Sequence, residues 1–403
     1  MHIVTIAQYY PPDLGGSSTR AYNVAQGLVR NNEKVTVITA FPHYPHGCIP
    51  EEYHGKLYTR EYDEGVDLIR TYMLPIESKG LLYRIITFVT FILSSLIGLL
   101  VLTDVDVVWA ANPDIFSLIP GVLYKLRFNC PLIFNVDDLS IEDVNNLSVL
   151  SNTSITLQLA TLATKTLYRG VDAVTPISPG YFNTIHRFGV PMNRIKLLRG
   201  GVDLDIFKQN NHQPQEKFRI AYSGSFSIAY DFQQILAVAK ELEDENIEFV
   251  IQGKGEQASL IRDTIHRKKL SNVTLIDEIF TRKEVSEFLS HASALILPLK
   301  DFTVPYPGIS SKLYEYQALG KPIICCSEGQ SALYVEETGS GLTLKPGDTA
   351  ALKDAVLYLR DNHEASQRMG LSGRKYVADN VGINQIGAQM QQIMTQTISE
   401  CLA

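Results

Sequence analysis

The chain has 403 residues, 45% hydrophobic and 20% charged, which excludes a disordered chain and, at roughly 100–200 residues per domain, predicts about two to four domains. Its 36 basic and 43 acidic residues give a net charge of −7 without a long basic block, so no nucleic-acid partner is expected. The five cysteines form no C-x-x-C pair, which argues against a zinc site and favours a reducing compartment.

The first forty residues have the pattern of a strand–loop–helix–strand unit. Met1–Gln8 is a β-branched run that predicts a buried strand rather than a secretion signal. A loop with Gly15 and Gly16 follows, then a helical pattern over Arg20–Val29 and a second strand over Lys34–Thr39. Such a unit predicts a doubly wound parallel sheet.

One apolar segment, Ile85–Thr103, contains no charged residue and is long enough to be a candidate transmembrane span. A span would separate the opening strands from the strands predicted at Asp106–Ala111 and Pro131–Val136, which we expect in the same sheet. A helix buried in the first domain is a second interpretation. A helix that packs by one face and dips the other into a bilayer is the interpretation that we favour.

The alternation of strands and helices stops at a polar stretch, residues 207–217, and then restarts. The later predicted strands are Phe218–Tyr222, Glu248–Ile251, Asn272–Ile276, Ala294–Pro298 and Lys321–Cys325. We therefore predict an α/β fold with two Rossmann-like doubly wound domains facing a central cleft. The predicted domains are residues 1–206 and 218–380, joined by a linker at 207–217. A C-terminal helix at 381–403 is expected, with packing against the first domain as one option.

A glycine turn at residues 253–258 (GKGEQA) has the form G-x-G-x-x-A between a strand and a helix. Asp277 follows at about the spacing of a dinucleotide fingerprint. The turn lies in the second strand–helix unit of its domain, where that fingerprint is not expected. The alternative is that Gly253 and Gly255 only permit a tight turn. An NAD-dependent oxidoreductase is therefore the weaker hypothesis.

The segment Pro305–Pro322 (PYPGISSKLYEYQALGKP) carries the densest chemistry of the sequence. Ser310 and Ser311 are candidate N-caps of the helix that follows, and the amide groups at its start would suit a phosphate. Lys312 is a cation in the first turn, which is unfavourable to the helix dipole unless the cation meets an anion. Glu315 lies on the same helix face, within reach of a polyhydroxyl group. A solvated surface helix explains the apolar residues but not this pairing of charges.

Together these motifs resemble the retaining family-four glycosyltransferases of the GT-B fold. The most similar branch builds bacterial surface polysaccharides and includes L-fucosamine and fucose transferases. The resemblance covers nearly the whole chain and rests on the order and spacing of short motifs. These are Gln8–Pro12 with Gly15, Gly16 and Arg20; Pro42–Gly47; Val136–Leu139; Gly201–Asp203 with Phe207; Gly253–Gly255; and Ser311–Tyr316 with Ala318 and Gly320–Pro322.

The resemblance implies transfer of a sugar, with retention, from a nucleoside-diphosphate sugar that we expect to be UDP-linked. The implied acceptor is a saccharide on polyprenyl diphosphate, in the synthesis of O-antigen, capsule or exopolysaccharide. The enzyme is then expected in the cytoplasm, peripherally on the inner face of the cytoplasmic membrane, docked through about Leu81–Leu102. A sugar-nucleotide epimerase of the same fold is the alternative. No tightly bound cofactor and no essential metal is expected.

The resemblance also assigns residues. Glu315 matches the glutamate that binds the ribose hydroxyls, Ile279 lies where the family clasps the base, and Gly16 lets the first loop approach the diphosphate. The complete set of expected donor-binding residues is Gly16, Arg20, Gly224, Lys254, Ile279, Gly308, Ile309, Ser310, Ser311, Lys312 and Glu315. Asp137 and Asp138 are the candidate catalytic residues near the reacting sugar. His43 and His46, in a loop rich in proline and glycine, are the candidate acceptor-binding residues.

Two departures from the family pattern affect the expected chemistry. The family has two glutamates eight positions apart, and Pro307 stands where the first is expected. The basic pair that is frequent in the first loop of the second domain is absent from Ser223–Asp231. The diphosphate charge would then be met by Lys312, Lys254, the helix start and Arg20. A double displacement needs a carboxylate nucleophile, and Pro307 stands where the family has a glutamate. Attack on the sugar carbon from the leaving-group face is therefore favoured.

Overall fold

The structure, a computed structural model, describes residues 1–44, 47–75, 81–112, 114–138, 162, 164–209, 216–302 and 305–402, with the backbone alone at 81–85, 114 and 115. The chain divides into two compact units, Met1–Gly201 with Ile383–Ala403, and Val202–Gly382. Residues 202–206, which the sequence-based boundary placed in the first domain, belong to the second unit. Residues 210–215 of the predicted linker lie outside the described residues.

The first unit is built on a seven-stranded sheet. Its strands are β1 (His2–Ala7), β2 (Lys34–Ala40), β3 (Tyr58–Asp63), β4 (Val66–Thr71), β5 (Val107–Asn112), β6 (Leu132–Val136) and β7 (Ala173–Pro176). Their order is β3-β4-β2-β1-β5-β6-β7, and every pair is parallel except β3–β4. The central strands are buried on both faces, which is why they are continuous β-branched runs in the sequence.

In the part of this unit that the structure describes, the helices include α1 (Gly16–Arg30), α2 (Leu81–Ser95), α3 (Gly98–Val101), α4 (Asp114–Phe128) and α5 (Phe182–Arg187). The apolar run that was a candidate span is therefore divided between α2 and α3. Tyr124 Oη donates to the carbonyl of Ser95 at 2.7 Å, and Ser95 Oγ donates back to Ile92 at 2.8 Å. Such side-chain hydrogen bonds compete with the backbone hydrogen bonds that would continue the helix. Among the described residues, no helix combines the length and the apolar character that crossing a bilayer requires.

The second unit contains a six-stranded, fully parallel sheet. Its strands are β8 (Phe218–Ser225), β9 (Ile247–Lys254), β10 (Val273–Ile276), β11 (Ala294–Pro298), β12 (Ile323–Cys326) and β13 (Gly341–Leu344), in the order β10-β9-β8-β11-β12-β13. The helices are α6 (Phe232–Glu241), α7 (Ala258–Lys268), α8 (Arg282–Ser290), α9 (Lys312–Ala318), α10 (Gln330–Thr338), α11 (Thr349–Asp361) and α12 (His363–Asn380). The prediction of two Rossmann-like α/β domains is confirmed.

The last helix, α13 (Ile383–Leu402), packs along α1 of the first unit. The two helices are in tight contact at a pair of glycines, Gly27 and Gly387. A Cβ added to Gly387 would lie 2.1 Å from the carbonyl oxygen of Gly27. Small residues at such a crossing let two helix backbones come closer than larger side chains allow. The C-terminal segment is thus part of the first unit, although the second unit lies between them in the chain.

Candidate functional site

In the second unit, the ends of β8 and β9 and the start of α9 bring several sequence-predicted residues together. Lys312, the first residue of α9, extends its side chain across the β8 end. A Cβ added to Gly224 would lie 2.2 Å from Lys312 Cε and 2.9 Å from Nζ. Gly224 also has φ of +143°, a conformation that favours glycine. Because Gly224 has no side chain, the Lys312 side chain can occupy the volume next to it.

Two tyrosine rings hold the Lys312 ammonium group. Lys312 Nζ donates to Tyr230 Oη at 3.0 Å and lies 4.9 Å from the centroid of that ring. The centroid of the Tyr222 ring is 5.7 Å from the same nitrogen, within the range of a cation–π contact, so one hydroxyl and one ring stabilise the cation. Tyr222 is itself fixed because its hydroxyl donates to the carbonyl of Ser225 at 2.7 Å.

Glu315 lies one turn after Lys312 on α9 and is partly buried. Burial raises the pKa of its carboxyl group above the usual range, and the nearby charges of Arg282 and Lys312 act in the opposite direction. Arg282 begins α8 and its guanidinium lies over the Phe207 ring at 5.6 Å. The site thus contains two cations beside one carboxylate whose charge is poorly solvated.

The loop before α9 is fixed against the start of α10. The Ser310 amide donates to Ser331 Oγ at 3.2 Å, and Ser331 Oγ donates to the Gly308 carbonyl at 3.4 Å. Gly308 and Ile309 are buried. Ser311, one of the two predicted N-cap candidates, stands at the N-cap position of α9, but it has helical dihedral angles and its side chain makes no capping bond.

The GKGEQA turn packs one backbone against another. A Cβ on Gly253 would lie 1.7 Å from the Gly224 carbonyl oxygen, so this glycine is required for strand contact. Asp277, the residue that a dinucleotide fingerprint would use, pairs with Arg262. Lys254 ends β9 with an exposed side chain. These contacts favour the structural interpretation of the turn over an NAD fingerprint.

A buried polar chain connects the ends of the neighbouring strands. Ser223 Oγ donates to Gln252 Oε1 at 2.5 Å, and Gln252 Nε2 donates to the carbonyl of Glu278 at 2.6 Å. These bonds fix the segment that presents Ile279, whose side chain is 41% exposed. The sequence signal for these hydrogen bonds was a polar residue, Gln252, directly after the apolar run Phe249–Ile251 and before Gly253.

The remaining predicted residues lie in the first unit. Arg20 is buried, its Nη2 donates to the Thr175 carbonyl at 3.2 Å, and its Nε lies 3.2 Å from Asp137 Oδ1. Asp138 is exposed and accepts a hydrogen bond from Tyr181 Oη at 3.2 Å. Arg20 and Asp137 are therefore brought together as an ion pair.

Gly16 is exposed and begins α1, and His43 follows β2. His43 lies 3.3 Å from Asp13, a buried acid that the sequence analysis missed although it stands two residues before Gly15. His46 lies outside the described residues. Tyr230 and Arg282 were also missed, because they reach the site from positions with no local motif. Within the described part of the chain, no group of three or more His, Cys, Asp or Glu side chains could hold a metal ion.

Two protein-family models match the chain, one on each unit. A model described as a glycosyl transferase 4-like domain matches residues 15–201. A model described as glycosyl transferases group 1 matches residues 203–376. Together the two matches cover nearly the whole of the chain.

Individual proteins agree with these models. A relative from Escherichia coli (strain K12), named as a colanic acid biosynthesis glycosyl transferase, is 23% identical over 290 residues, 68% of this chain and 70% of the relative. The structure of sucrose-phosphate synthase from Thermosynechococcus elongatus has a TM-score of 0.77 at 17% identity, covering 99% of this chain and 100% of that one. The structure of Anabaena HepE in complex with UDP and glucose has a TM-score of 0.68 at 14% identity, covering 98% and 100%.

Proposed function

Because both units match glycosyltransferase models, this chain belongs to the GT-B glycosyltransferases, and we propose that its donor is a UDP-linked sugar. The proposed acceptor is a saccharide carried on a polyprenyl diphosphate, and the proposed outcome is retention of configuration at the sugar carbon. The colanic acid relative supports a role in polysaccharide biosynthesis. The HepE complex with UDP and glucose supports UDP as the nucleotide.

The observation that carries this proposal is the ammonium group of Lys312, held by Tyr222 and Tyr230 over Gly224 at the ends of parallel strands. Ligands of open α/β sheets bind at that edge. Departure of a nucleoside diphosphate builds negative charge, and a fixed cation stabilises that charge most when it is already in place. Lys312 therefore replaces the basic pair that is absent from Ser223–Asp231.

Glu315 and the segment after β10 are the proposed contacts of the nucleoside. A carboxylate accepts two hydrogen bonds and so suits a pair of neighbouring ribose hydroxyls. The bonds from Gln252 fix the backbone beside Ile279, which is the proposed contact for the base. Backbone groups of residues 308–311, held by Ser331, are the proposed contacts of the donor sugar.

The proposed reaction proceeds on one face of the sugar. The bond from the sugar carbon to the diphosphate oxygen breaks, the acceptor oxygen forms a bond from the same side, and the acceptor proton passes to the departing diphosphate. Pro307 occupies the place of the family's first glutamate and cannot act as a nucleophile. Asp138 and Asp137 are proposed to stabilise the positive character of the sugar carbon, and His43 is proposed to contact the acceptor.

An exposed apolar surface supports the membrane part of the proposal. We define the apolar face as Val89, Leu93, Leu100, Ile119, Leu123 and Leu126, all large side chains exposed on α2, α3 and α4. Phe88 and Phe116 stack at 4.4 Å and join α2 to α4 beside this face. Leu93, Leu100 and Leu126 are 64%, 82% and 73% exposed. Contiguous exposed apolar side chains are typical of interfacial helices, so the apolar face is the proposed bilayer contact.

The function is tested with a panel of nucleotide sugars, including UDP-glucose, UDP-N-acetylglucosamine and UDP-N-acetyl-L-fucosamine, and with NAD(H). Thermal shift first identifies the nucleotide sugars that bind. Release of UDP is then measured with and without a bacterial lipid extract, and the anomeric configuration of the product is read by NMR. We expect UDP release that depends on the lipid extract and a retained anomeric configuration.

Three outcomes would contradict the proposal. NAD(H) binding without nucleotide-sugar binding would indicate an oxidoreductase. Conversion of the sugar nucleotide without an acceptor would indicate an epimerase. A covalent sugar–enzyme adduct would exclude attack from the leaving-group face.

A further inference from the structure

A buried carboxylate, Asp13, joins two loops of the first unit. Its Oδ1 accepts the amide hydrogens of His43 and Tyr44 at 2.8 and 2.9 Å. Its Oδ2 lies 3.3 Å from His43 Nδ1, and Ser18 Oγ donates to its backbone carbonyl at 2.6 Å. The loop after β1 and the loop after β2 are therefore tied together at one side chain.

The hydrogen bonds of His43 determine its tautomer. His43 Nδ1 lies 2.9 Å from the carbonyl oxygen of Phe41. A carbonyl oxygen only accepts, so Nδ1 carries the proton. The carboxylate of Asp13, next to the same nitrogen, favours that proton electrostatically. The lone pair of the neutral imidazole consequently lies on Nε2.

The second ring nitrogen needs a partner. His43 Nε2 is buried and has no hydrogen-bond partner within the ranges that the structure describes. An unpaired polar atom in the interior costs free energy, so a donor that reaches it is stabilising. The Tyr9 ring lies 5.2 Å from the imidazole, and the neighbouring Tyr44 side chain is 51% exposed. Aromatic faces beside a hydrogen-bond acceptor suit a sugar, which has apolar faces and hydroxyl edges.

We propose that Asp13 is a positioning residue that holds His43 in the Nδ1–H tautomer, so that Nε2 accepts a hydrogen bond from a hydroxyl of the acceptor saccharide. This inference rests on the proposed function, since it deepens the acceptor role of His43. Asp13 acts only through His43 and through the two amides that it fixes. His43 neither gains nor loses a proton in this role. Its hydrogen bond orients the acceptor sugar, and the attacking hydroxyl of that sugar releases its proton to the departing diphosphate.

The Asp13→Asn variant separates the tautomer from the loop structure. The asparagine carbonyl can still accept the amides of His43 and Tyr44, while its NH₂ group faces His43 Nδ1 and donates to it. The asparagine NH₂ group as a donor and the Phe41 carbonyl as an acceptor then compete at Nδ1, so we expect a larger share of rings with the proton on Nε2, which then cannot accept a hydroxyl. Long-range ¹H–¹⁵N spectra of histidine-labelled protein report the tautomer directly. Wild-type protein is expected to show Nδ1–H and the variant a larger share of Nε2–H, while identical spectra of the two proteins would overturn the positioning role of Asp13.

Kinetics with UDP-glucose and a bacterial lipid extract provide the functional readout. We expect Asp13→Asn to raise the KM for the extract about tenfold, the usual cost of one hydrogen bond, and to leave the KM for UDP-glucose unchanged. Asp67→Asn is the matched control, because Asp67 pairs with the exposed Arg60 on the edge hairpin.

The possible failures are distinguishable. An Nε2–H tautomer in the wild-type protein overturns the inference without any assay of activity. Unchanged acceptor kinetics in a variant whose tautomer has switched also overturn it, while the proposed function stands. If the wild type binds no nucleotide sugar of the panel, the proposed function itself fails.

Discussion

At the scale of single residues, the proposed donor site depends on how far the Lys312 side chain reaches. The motif around Lys312 and Glu315 is local, so the sequence predicted both as donor-binding residues. Tyr230, the partner of Lys312, is 82 residues away in the chain. No local pattern predicts that pairing, because it arises only when the ends of β8 and β11 come together in the sheet. The same holds for Arg282, which lies on another helix.

Gly224→Ala is expected to weaken donor binding by displacing Lys312. The new Cβ would lie 2.2 Å from Lys312 Cε, so the ammonium group must leave the two tyrosine rings. We expect an affinity for UDP-glucose roughly tenfold lower, measured by calorimetry.

The matched control for this variant is Gly347→Ala. Gly347 also has a positive φ, +79°, but no atom lies within 4 Å of the Cβ position. Both variants carry backbone strain of about 1–3 kcal/mol, which thermal unfolding measures separately for each. Equal donor affinities in the two variants would show that the contact between Gly224 and Lys312 has no role in binding.

Donor affinity is expected to increase with pH because of Glu315. Burial raises the pKa of this carboxyl group, so at pH values below that raised pKa the protonated form predominates and cannot accept two ribose hydroxyls. As the pH rises through this raised pKa, the carboxylate forms and the donor binds more tightly. UDP-glucose is the suitable probe, since its phosphates are diesters that do not titrate here. Calorimetry at increasing pH, starting near the ordinary glutamate pKa of about 4.3, should show this increase in the wild type and none in Glu315→Gln.

At the scale of elements, the strands were easier to predict than the contacts between elements. The central strands are buried on both faces, so their β-branched runs are evident in the sequence. The hairpin of β3 and β4 was missed, although residues 58–63 alternate between half-buried and exposed. The break between α2 and α3 was also missed, because it involves Tyr124 of another helix. The packing of α13 on α1 stayed open as well, because that contact also joins two helices that are far apart in the chain.

Membrane binding is expected to depend on the apolar face. The double variant Leu93→Ser with Leu126→Ser removes two exposed leucines, each worth roughly 1.5–3 kcal/mol when fully buried. We expect sedimentation with vesicles of phosphatidylethanolamine and phosphatidylglycerol to fall at least tenfold. The control, Leu333→Ser with Leu371→Ser, removes two exposed leucines of the second unit. Equal sedimentation of both double variants and the wild type would contradict the assignment.

At the scale of the whole molecule, the chain returns to its first unit after completing the second. Residues 383–402 form α13 and pack on α1, so the first unit is complete only when the last helix is present. This connectivity predicts that a change in the C-terminal helix destabilises the N-terminal fold.

Gly387→Ala tests that connectivity. In an isolated helix, replacing glycine by alanine stabilises by about 1 kcal/mol. Here the added methyl would lie 2.1 Å from the Gly27 carbonyl, and overpacking of a close contact costs about 1–3 kcal/mol. We therefore expect a lower midpoint of thermal unfolding. Ser399→Ala, on the exposed side of the same helix, should leave it unchanged. A stabilised Gly387→Ala protein would show that the two helices are not in close contact.

The central claim is that the ammonium group of Lys312 binds the diphosphate of a nucleotide-sugar donor, and calorimetric titration of UDP tests it most directly. Lys312→Met keeps the length of the side chain and removes its charge, and Lys353→Met is the matched control on the exposed face of α11. The account predicts that Lys312→Met binds UDP roughly 10- to 100-fold more weakly, while Lys353→Met binds it like the wild type. Equal affinity of the two variants for UDP would contradict the account.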